Sequence, residues 1–385
     1  MRSTAFFVNG GAGRIICSIP AFEKYAEANP DDDFIIVTEA GTDFFKGHPT
    51  LHNKCFDNWH KGLFEEKLKD RNIVSTEPYR VWHYYNQECS LAQAYDIQIN
   101  KLEEPRELPD PEIVLSKMEV VQAQNILEEI KGGTGKAKVV VIQPFGRSVQ
   151  TEGDFVVDPG SRSMNMVNTV EIINNLKKDY SVVVMSEFQF PVEENEDRSR
   201  HKIARPQIQD IRIWAGVIEG ADHFIGCDSV GQHLAKALDT TATVVLGSTY
   251  PINISYPEFN GFDIIDVGAE NGRVYDPIRL TMDDERMRAN DQACEMSKEQ
   301  VKRVIDSARK RLGKPTTCPK KTPEQEQQQI QQINPTRPQV KPGSAPQMPS
   351  LQPQKLDIPS NVIGATKSKP SKGFKDEVEN LLKTK

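Results

Sequence analysis

The chain has 385 residues, long enough for two domains, and 37% of them are hydrophobic. Its net charge of −7 divides into −13 over residues 1–313 and +6 over residues 314–385, and an acidic body excludes generic nucleic-acid binding, which needs a basic surface to release counterions. No apolar run approaches the ~20 residues that span a bilayer, no charged stretch leads a long apolar core at the N-terminus, and the six cysteines (17, 55, 89, 227, 294, 318) contain no CxxC pair, so neither a zinc site nor a disulfide frame is expected.

Thr4 to Val8 reads as an apolar strand, Asn9-Gly10-Gly11-Ala12-Gly13 as a tight turn, Ile15 to Ala28 as a helix and Asp33 to Val37 as the next strand. Strand, glycine turn, helix, strand is how a doubly wound α/β domain opens. Gly11-x-Gly13 lacks the third glycine of a dinucleotide fingerprint, so a dinucleotide is not expected there. His48-Pro49 marks a turn and Lys54-Cys55-Phe56 a short strand. Residues 59–100 are the most aromatic part of the chain, with Trp59, His60, Tyr79, Trp82, His83, Tyr84 and Tyr85. Such loops suit stacking on sugar rings, and equally the packing of an irregular insertion; composition leaves both open. Glu77 and His83 are the two candidate proton acceptors in this stretch, since either can act as a base once its surroundings tune it. Glu103 to Pro111 is a connector rich in proline and acids, Val114 to Ile130 a helix with an apolar stripe, and Gly132-Gly133-Thr134-Gly135 a linker. The domains are therefore expected over 1–132 and 136–313.

Val139 to Ile142 reads as a buried strand whose polar turn, Gln143 to Ser148, carries Arg147 and Ser148. Arg162 lies shortly before a helix over Val167 to Leu176, and Tyr180 to Met185 is a strand ending at Ser186-Glu187. Ile208 to Ile218 is a helix, and Phe224 to Cys227 a strand. Asp228 and Ser229, both strong N-cap types, then head a helix to Leu238 with Gly231 in its first turn. Ala242 to Leu246 is a strand followed by the small-residue turn Gly247-Ser248-Thr249; Gly261 to Val267 is another strand, and Ser297 to Leu312 the last helix of the body. In an open parallel sheet these turns lie at the carboxyl ends of the strands, where ligands bind, and the Asp228 helix start favours a phosphate.

Two segments carry a family resemblance. CDSVGQHLAKAL followed by VVLGSTYP resembles the D-[ST]-G-x-x-H-x-x-A-A-L … G-P-T-x-P signature of the family 9 glycosyltransferases, among them the ADP-heptose:lipopolysaccharide heptosyltransferases; Asp228, Ser229, His233, Leu234, Ala237, Leu238, Gly247, Thr249 and Pro251 match. Val230-Gly231 reverses the order of the glycine, and Ser248 stands where proline is usual. Gly13-Arg14-Ile15-Ile16-Cys17-Ser18-Ile19-Pro20-Ala21 is similar to the family's G-D-x-[LIV]-x-x-x-P-A turn, with Arg14 where the catalytic aspartate is expected. The close of the body, from Cys294-Glu295-Met296, also resembles the family's. The resemblance implies a GT-B fold, two doubly wound domains facing a cleft. It implies that Arg147, Ser148 and Arg162 hold the donor diphosphate, that Asp228 meets sugar hydroxyls, and that the backbone of Ser229, Val230 and Gly231 meets phosphate. His233 would orient, Glu187 would lie near the ribose and Gln209 near the base, with Gly11, Gly13 and Arg14 lining the cleft of the first domain.

Residues 314–385 hold 11 of the 25 prolines and a Gln-rich run, and cannot bury enough surface to offset their ordering entropy, so a disordered tail is expected. Its last stretch, 373–383, places Phe374, Val378, Leu381 and Leu382 on one helical face, which reads as a docking peptide for a protein partner or as a frayed end. The expected function is metal-independent, cofactor-free, inverting transfer of a sugar from a nucleotide-diphosphate donor to a surface-glycan or lipopolysaccharide-type acceptor, cytoplasmic or peripheral at the inner membrane. A nucleotide-sugar epimerase of the same fold and a non-catalytic binding protein are the alternatives, and Arg14 favours the latter.

Overall fold

The computed structural model describes residues 3–318 except 147–148, 153–154, 159, 188–189, 191, 193–202 and 274–293. The first part contains β1 (Thr4–Val8), α1 (Ala12–Ala28), β2 (Ile35–Thr38), β3 (Cys55–Asp57), β4 (Asn72–Thr76), the one-turn α2 (Trp82–Tyr85) and α3 (Leu91–Asn100). Its four strands are all parallel in the order β3-β2-β1-β4. One face is covered by α1 and α3, with Phe6, Phe22, Tyr25 and Phe34 meeting edge-on and stacked beneath them. The opposite face carries a smaller cluster of Ala5, Ile35 and Val37 under Phe7, Phe56, Leu63 and Leu68.

The second part begins with α4 (Lys117–Thr134) and β5 (Val139–Gln143), then a short antiparallel pair, β6 (Gln150–Glu152) and β7 (Phe155–Val157). It continues with α5 (Met166–Leu176), β8 (Ser181–Val184), α6 (Ile211–Glu219), β9 (His223–Gly226) and α7 (Val230–Ala237). The remaining elements are β10 (Ala242–Leu246), α8 (Pro251–Ile254), β11 (Phe262–Asp266), α9 (Val267–Glu270) and α10 (Lys298–Leu312). Five strands, again all parallel, run β11-β10-β9-β5-β8. β5 and β10 are apolar but for Gln143 and Thr243 and are buried along their whole length, as strands covered on both faces must be.

Several boundaries differ from the sequence expectation, each for a local reason. α4 starts at Lys117 because Ser116 and Glu119 form a reciprocal capping box, and α6 starts at Ile211 because the Asp210 carboxylate accepts from Arg212 N–H. Gly132 and Gly133 are not a linker: α4 runs through both and ends where Gly135 takes the left-handed conformation, φ +71°. Each glycine inside a helix costs about 1 kcal/mol, which the packing of α4 on α6 offsets. A Cβ on Gly216 would lie 2.8 Å from Ala123, and one on Gly220 2.6 Å from Leu127, so the two helices meet closely at these glycines. Residues 314–318, expected to open the tail, instead run beside 135–137, with Ala137 N–H on Thr316 O and Cys318 N–H on Gly135 O, both at 2.9 Å. The expected docking helix at 373–383 lies outside the described residues.

The two parts are joined by buried polar contacts as well as apolar ones. Arg212 of α6 donates Nε and Nη2 to the Glu119 carboxylate at 2.6 and 2.9 Å, Nη1 to Asp43 O at 2.7 Å, and Nη2 also to Val114 O. Its hydrogen bond, more than any other cause, holds the Glu119 carboxyl down at about 2. Asn253 of α8 donates to Tyr84 O and Cys89 O, both at 3.0 Å, and Lys236 pairs with Asp110.

Candidate functional site

Each sheet has one place where neighbouring strands send the chain in opposite directions. In the first it lies between β1, which leads to β2, and β4 on its other side; in the second it lies between β5, which leads to β8, and β9. Crevices at the carboxyl ends of such strand pairs are where open parallel sheets hold ligands. The segments leaving these four strand ends are Asn9–Gly13, Glu77, Gln143–Gly146 and Cys227–Ser229, and most of the residues singled out in the sequence stand on or beside them.

On the first side Gly10 (φ +95°) donates its N–H to Glu39 at 2.6 Å, and α1 begins behind Gly11 with no side-chain cap and no acid in its first turn. Arg14 folds back beneath this turn and is only 6% exposed. Its Nε donates to Tyr95 Oη at 2.9 Å, its Nη2 lies 3.4 Å from Glu77 Oε1, and its guanidinium sits 4.8 Å above the Tyr79 ring. Burial works against this charge, but Tyr95, Tyr79 and Glu77 outweigh it and hold the pKa above the ordinary arginine value. Nη1 is buried without a hydrogen-bond partner.

On the second side Gln143, the last residue of β5, reaches across to the start of α7, accepting from Gly231 N–H at 2.8 Å and donating to Ser229 Oγ at 3.2 Å. Ser229 stands at the N-cap position, but its hydroxyl makes no capping bond. Gly231 N–H, expected to face a phosphate, is taken by Gln143. A side chain at 231 would stand 2.3 Å from Gln143 Oε1 and 2.4 Å from Phe224, so this glycine serves close packing. Arg162 is set by a loop built on Asp158, whose carboxylate accepts from the N–H groups of Gly160, Arg162 and Ser163 and from Ser163 Oγ. Ser248 ties that loop to the turn after β10 through Gly160 O and Ser161 O. Arg162 Nη1 thereby comes to 3.9 Å from Asp228 Oδ2, and the guanidinium is within electrostatic reach of His233 on its own side and of Tyr79 on the other.

His233 closes the gap between the two sides. Its Nδ1 lies 2.8 Å from Tyr256 Oη and 3.5 Å from Cys17 Sγ, and a Cβ on Gly13 would stand 2.8 Å from its ring. Gly13 is therefore demanded by this approach. Burial first, and then Arg162, lower the His233 pKa to about 4, so the ring is neutral and positions its neighbours. Among the described residues, the buried side-chain atoms without a hydrogen-bond partner include both amide atoms of Gln232 on α7, Thr249 Oγ1 and Ser255 Oγ after β10, and Asn174 Oδ1 on α5, besides Arg14 Nη1.

Comparison with known proteins gives the architecture its place. No protein-family model matches the chain, and neither does any curated protein. Among solved structures it is similar to a family 9 glycosyltransferase from Veillonella parvula, 10% identical, with a TM-score of 0.50 over 80% of this chain and 97% of that one. The chain shares the GT-B fold of that structure. It is also similar to the E. coli ADP-heptose LPS heptosyltransferase II, 11% identical with a TM-score of 0.45, covering 80% and 98% of the two chains. An E. coli heptosyltransferase solved with ADP is 15% identical with a TM-score of 0.43, covering 80% and 99%.

The GT-B cleft thus brings Gly11, Gly13, Arg14 and Glu77 together on one wall and Arg162, Asp228, Ser229, Val230, Gly231 and His233 on the other. Arg147 and Ser148 lie outside the described residues. Glu187 and Gln209 are exposed, the first after β8 and the second before α6. His83 is engaged by acceptors on both nitrogens, Glu88 at 3.0 Å and Glu103 O at 3.0 Å, and Glu88 foremost raises its pKa. Oxygen acceptors against both nitrogens favour the ring that donates from each, which has no lone pair to take another proton. Glu77 is the better placed of the two candidate bases. Sequence reading missed Gln143, Tyr95, Asp158, Gln232 and Tyr256, whose roles depend on strand ends meeting across the cleft. Of these only Gln143 carried a signal, a polar residue closing an apolar strand. Among the described residues, the one group with metal-ligand spacing is Glu23, His48 and Glu112. There His48 Nδ1 accepts from Thr50 and Leu51 N–H and Nε2 donates to Glu23, so neither nitrogen is open.

The neutral histidines make stability depend on pH. His223, lowered by burial and then by Arg311 to about 3, joins His233 at about 4. Both stay unprotonated in the folded chain while the unfolded chain takes up protons near pH 6.5, so the stabilisation is complete above that pH. It is lost as pH falls toward 4, at about 1.4 kcal/mol per pH unit for each histidine. Urea midpoints at pH 7.5, 6 and 5 should fall stepwise; equal midpoints at 7.5 and 5 would show that the two rings are protonated in the fold.

Proposed function

We propose that the protein is a glycosyltransferase that moves a hexose- or heptose-like sugar from a nucleotide-diphosphate donor to a glycan acceptor of the surface-polysaccharide or lipopolysaccharide type. The observation that carries this reading is the opposition of two strand-end crevices, one with Arg162, the buried Asp228 carboxylate and the start of α7, the other with the half-buried Glu77 carboxylate. On the donor wall Arg162 and the N-terminus of α7 meet the diphosphate, and Asp228 meets sugar hydroxyls. On the acceptor wall Glu77 takes the proton from the attacking hydroxyl. The acceptor oxygen then bonds to the anomeric carbon from the face opposite the leaving group, inverting it. The bond to the diphosphate breaks with its electron pair, and the new charge is met by Arg162 and the helix start without a metal.

A binding protein that keeps the cleft without turnover is the second reading, favoured by the Arg14–Glu77 pair at the position of the family's aspartate. Thermal stability against ADP, UDP, GDP and CMP and their sugar conjugates tests the donor wall. A ligand at about 100 times its dissociation constant adds about 2.7 kcal/mol, so one nucleotide family should shift the transition plainly. Absence of any shift would remove the donor assignment. Glu77→Gln then separates the readings: the transferase should lose about 10²-fold or more in turnover, while unchanged turnover would strip Glu77 of its role.

A further inference from the structure

We propose that the acceptor wall of the cleft holds an oxyanion, a phosphate carried by the acceptor, bound by the N-terminus of α1 together with Nη1 of Arg14. The description of this wall as the acceptor side rests on the glycosyltransferase reading; the anion site itself does not.

Three independent features meet here. α1 is a 17-residue helix that starts with neither a side-chain cap nor an acid in its first turn; Arg14 N–H bonds back to Gly11 O at 3.0 Å, which leaves the N–H groups before it for an outside acceptor, and the dipole favours negative charge. Arg14, 6% exposed, keeps Nη1 buried and without a hydrogen-bond partner, although Nε and Nη2 are engaged. That orphan donor lies at the helix start, since a Cβ on Gly10 would stand 3.3 Å from Nη1, while a Cβ on Gly11 would meet nothing within 4 Å. Open space in front of an uncapped helix, with a desolvated guanidinium donor beside it, is what an oxyanion needs.

Charge decides the class of ligand. Where the resembled family has an aspartate, which would repel an anion, this chain has an arginine. Two carboxylates oppose it: Glu39, which accepts from Gly10 N–H at 2.6 Å, and Glu77, whose contact with Arg14 at 3.4 Å is looser than the about 2.7–2.9 Å of a strong charge-assisted bond. A phosphate offers three oxygens to share between Nη1 and the first-turn N–H groups. Its arrival also competes with Glu77 for Arg14, which leaves the carboxylate free to take the acceptor proton.

The test is calorimetric titration of the full-length protein with inorganic phosphate, alone and after saturation with whichever nucleoside diphosphate binds. Saturable phosphate binding is expected in both cases. It should be retained in Arg162→Ala, weakened about tenfold or more in Arg14→Gln, and tightened in Glu77→Gln. The Glu77 variant keeps the test alive if the Arg14 variant does not fold. A hexose 6-phosphate should bind at least as well as phosphate, and the free hexose should not compete. Lack of saturable binding, equal binding by Arg14→Gln, loss in Arg162→Ala, unchanged or weaker binding in Glu77→Gln, or rejection of the hexose phosphate overturns the proposal. Nucleotide binding without phosphate binding leaves the donor wall standing and removes this site; phosphate binding that depends on Arg14, without any nucleotide binding, does the reverse.

Discussion

Arg162→Ala should lower sugar transfer by about 10²–10³-fold while leaving the unfolding transition within about 0.5 kcal/mol of the parent. The side chain is a third exposed and stands on a loop whose shape is fixed by the Asp158 carboxylate and by Ser248, neither of which touches the guanidinium. In the glycosyltransferase reading, removing it therefore deletes the charge proposed to meet the leaving diphosphate while keeping the side chains that shape the loop. Burial disfavours its charge, but Asp228, Tyr79 and Asp158 outweigh that and keep it a cation, so no change of pH can substitute for the mutation. Turnover with the nucleotide sugar selected by the thermal panel, measured beside urea unfolding, checks both halves. A loss of less than about fivefold would mean that the diphosphate is held elsewhere. Arg162→Lys should recover part of the rate, because an ammonium supplies charge without the planar fork.

The largest effect on stability should come from Arg212→Ala, at about 3–5 kcal/mol. Arg212 is 2% exposed and makes a two-pronged bond to Glu119 and bonds to the carbonyls of Asp43 and Val114, so it ties α6 to α4 and to the first sheet's loops at once. Truncation leaves the half-buried Glu119 carboxylate with only its Ser116 N–H bond, and takes the guanidinium donor from two carbonyls. The Arg303–Glu270 pair is the contrast, with both side chains about 40% exposed or more, and Arg303→Ala should change stability by about 1 kcal/mol or less. Urea denaturation of both variants decides it; a cost below about 1 kcal/mol for Arg212→Ala would mean that water reaches Glu119. Glu119→Gln combined with Arg212→Met should recover much of the loss, since neutral partners leave no buried charge unpaired.

The regular elements were legible in the chain wherever one residue's neighbours in sequence are also its neighbours in space. Val139–Ile142 and Ala242–Leu246 are apolar runs of strand length, and both are fully buried parallel strands. Ser297 with Gln300 is a capping box whose partners lie three residues apart, and α10 starts there. The Gly132–Gly133 linker was misread because local propensity was the only information available; the contacts of Ala123 and Leu127 with the glycines of α6 overrode it.

The amino-acid sequence by itself determined the α/β class, the two parallel sheets, the turns at their carboxyl ends and the arginines and acids that stand in them, because periodicity, turn chemistry and motif spacing are properties of short stretches. Only the tertiary structure decided what those residues do to one another. Arg14 meets Glu77 and Tyr95 across 63 and 81 residues of chain, and Cys17 meets His233 across 216. Gly13 is required by a histidine from the opposite sheet, and Gly231 by a glutamine at the end of a neighbouring strand. No local pattern encodes such meetings, since they depend on strand order and on how closely two sheets' ends approach once their shared core has packed.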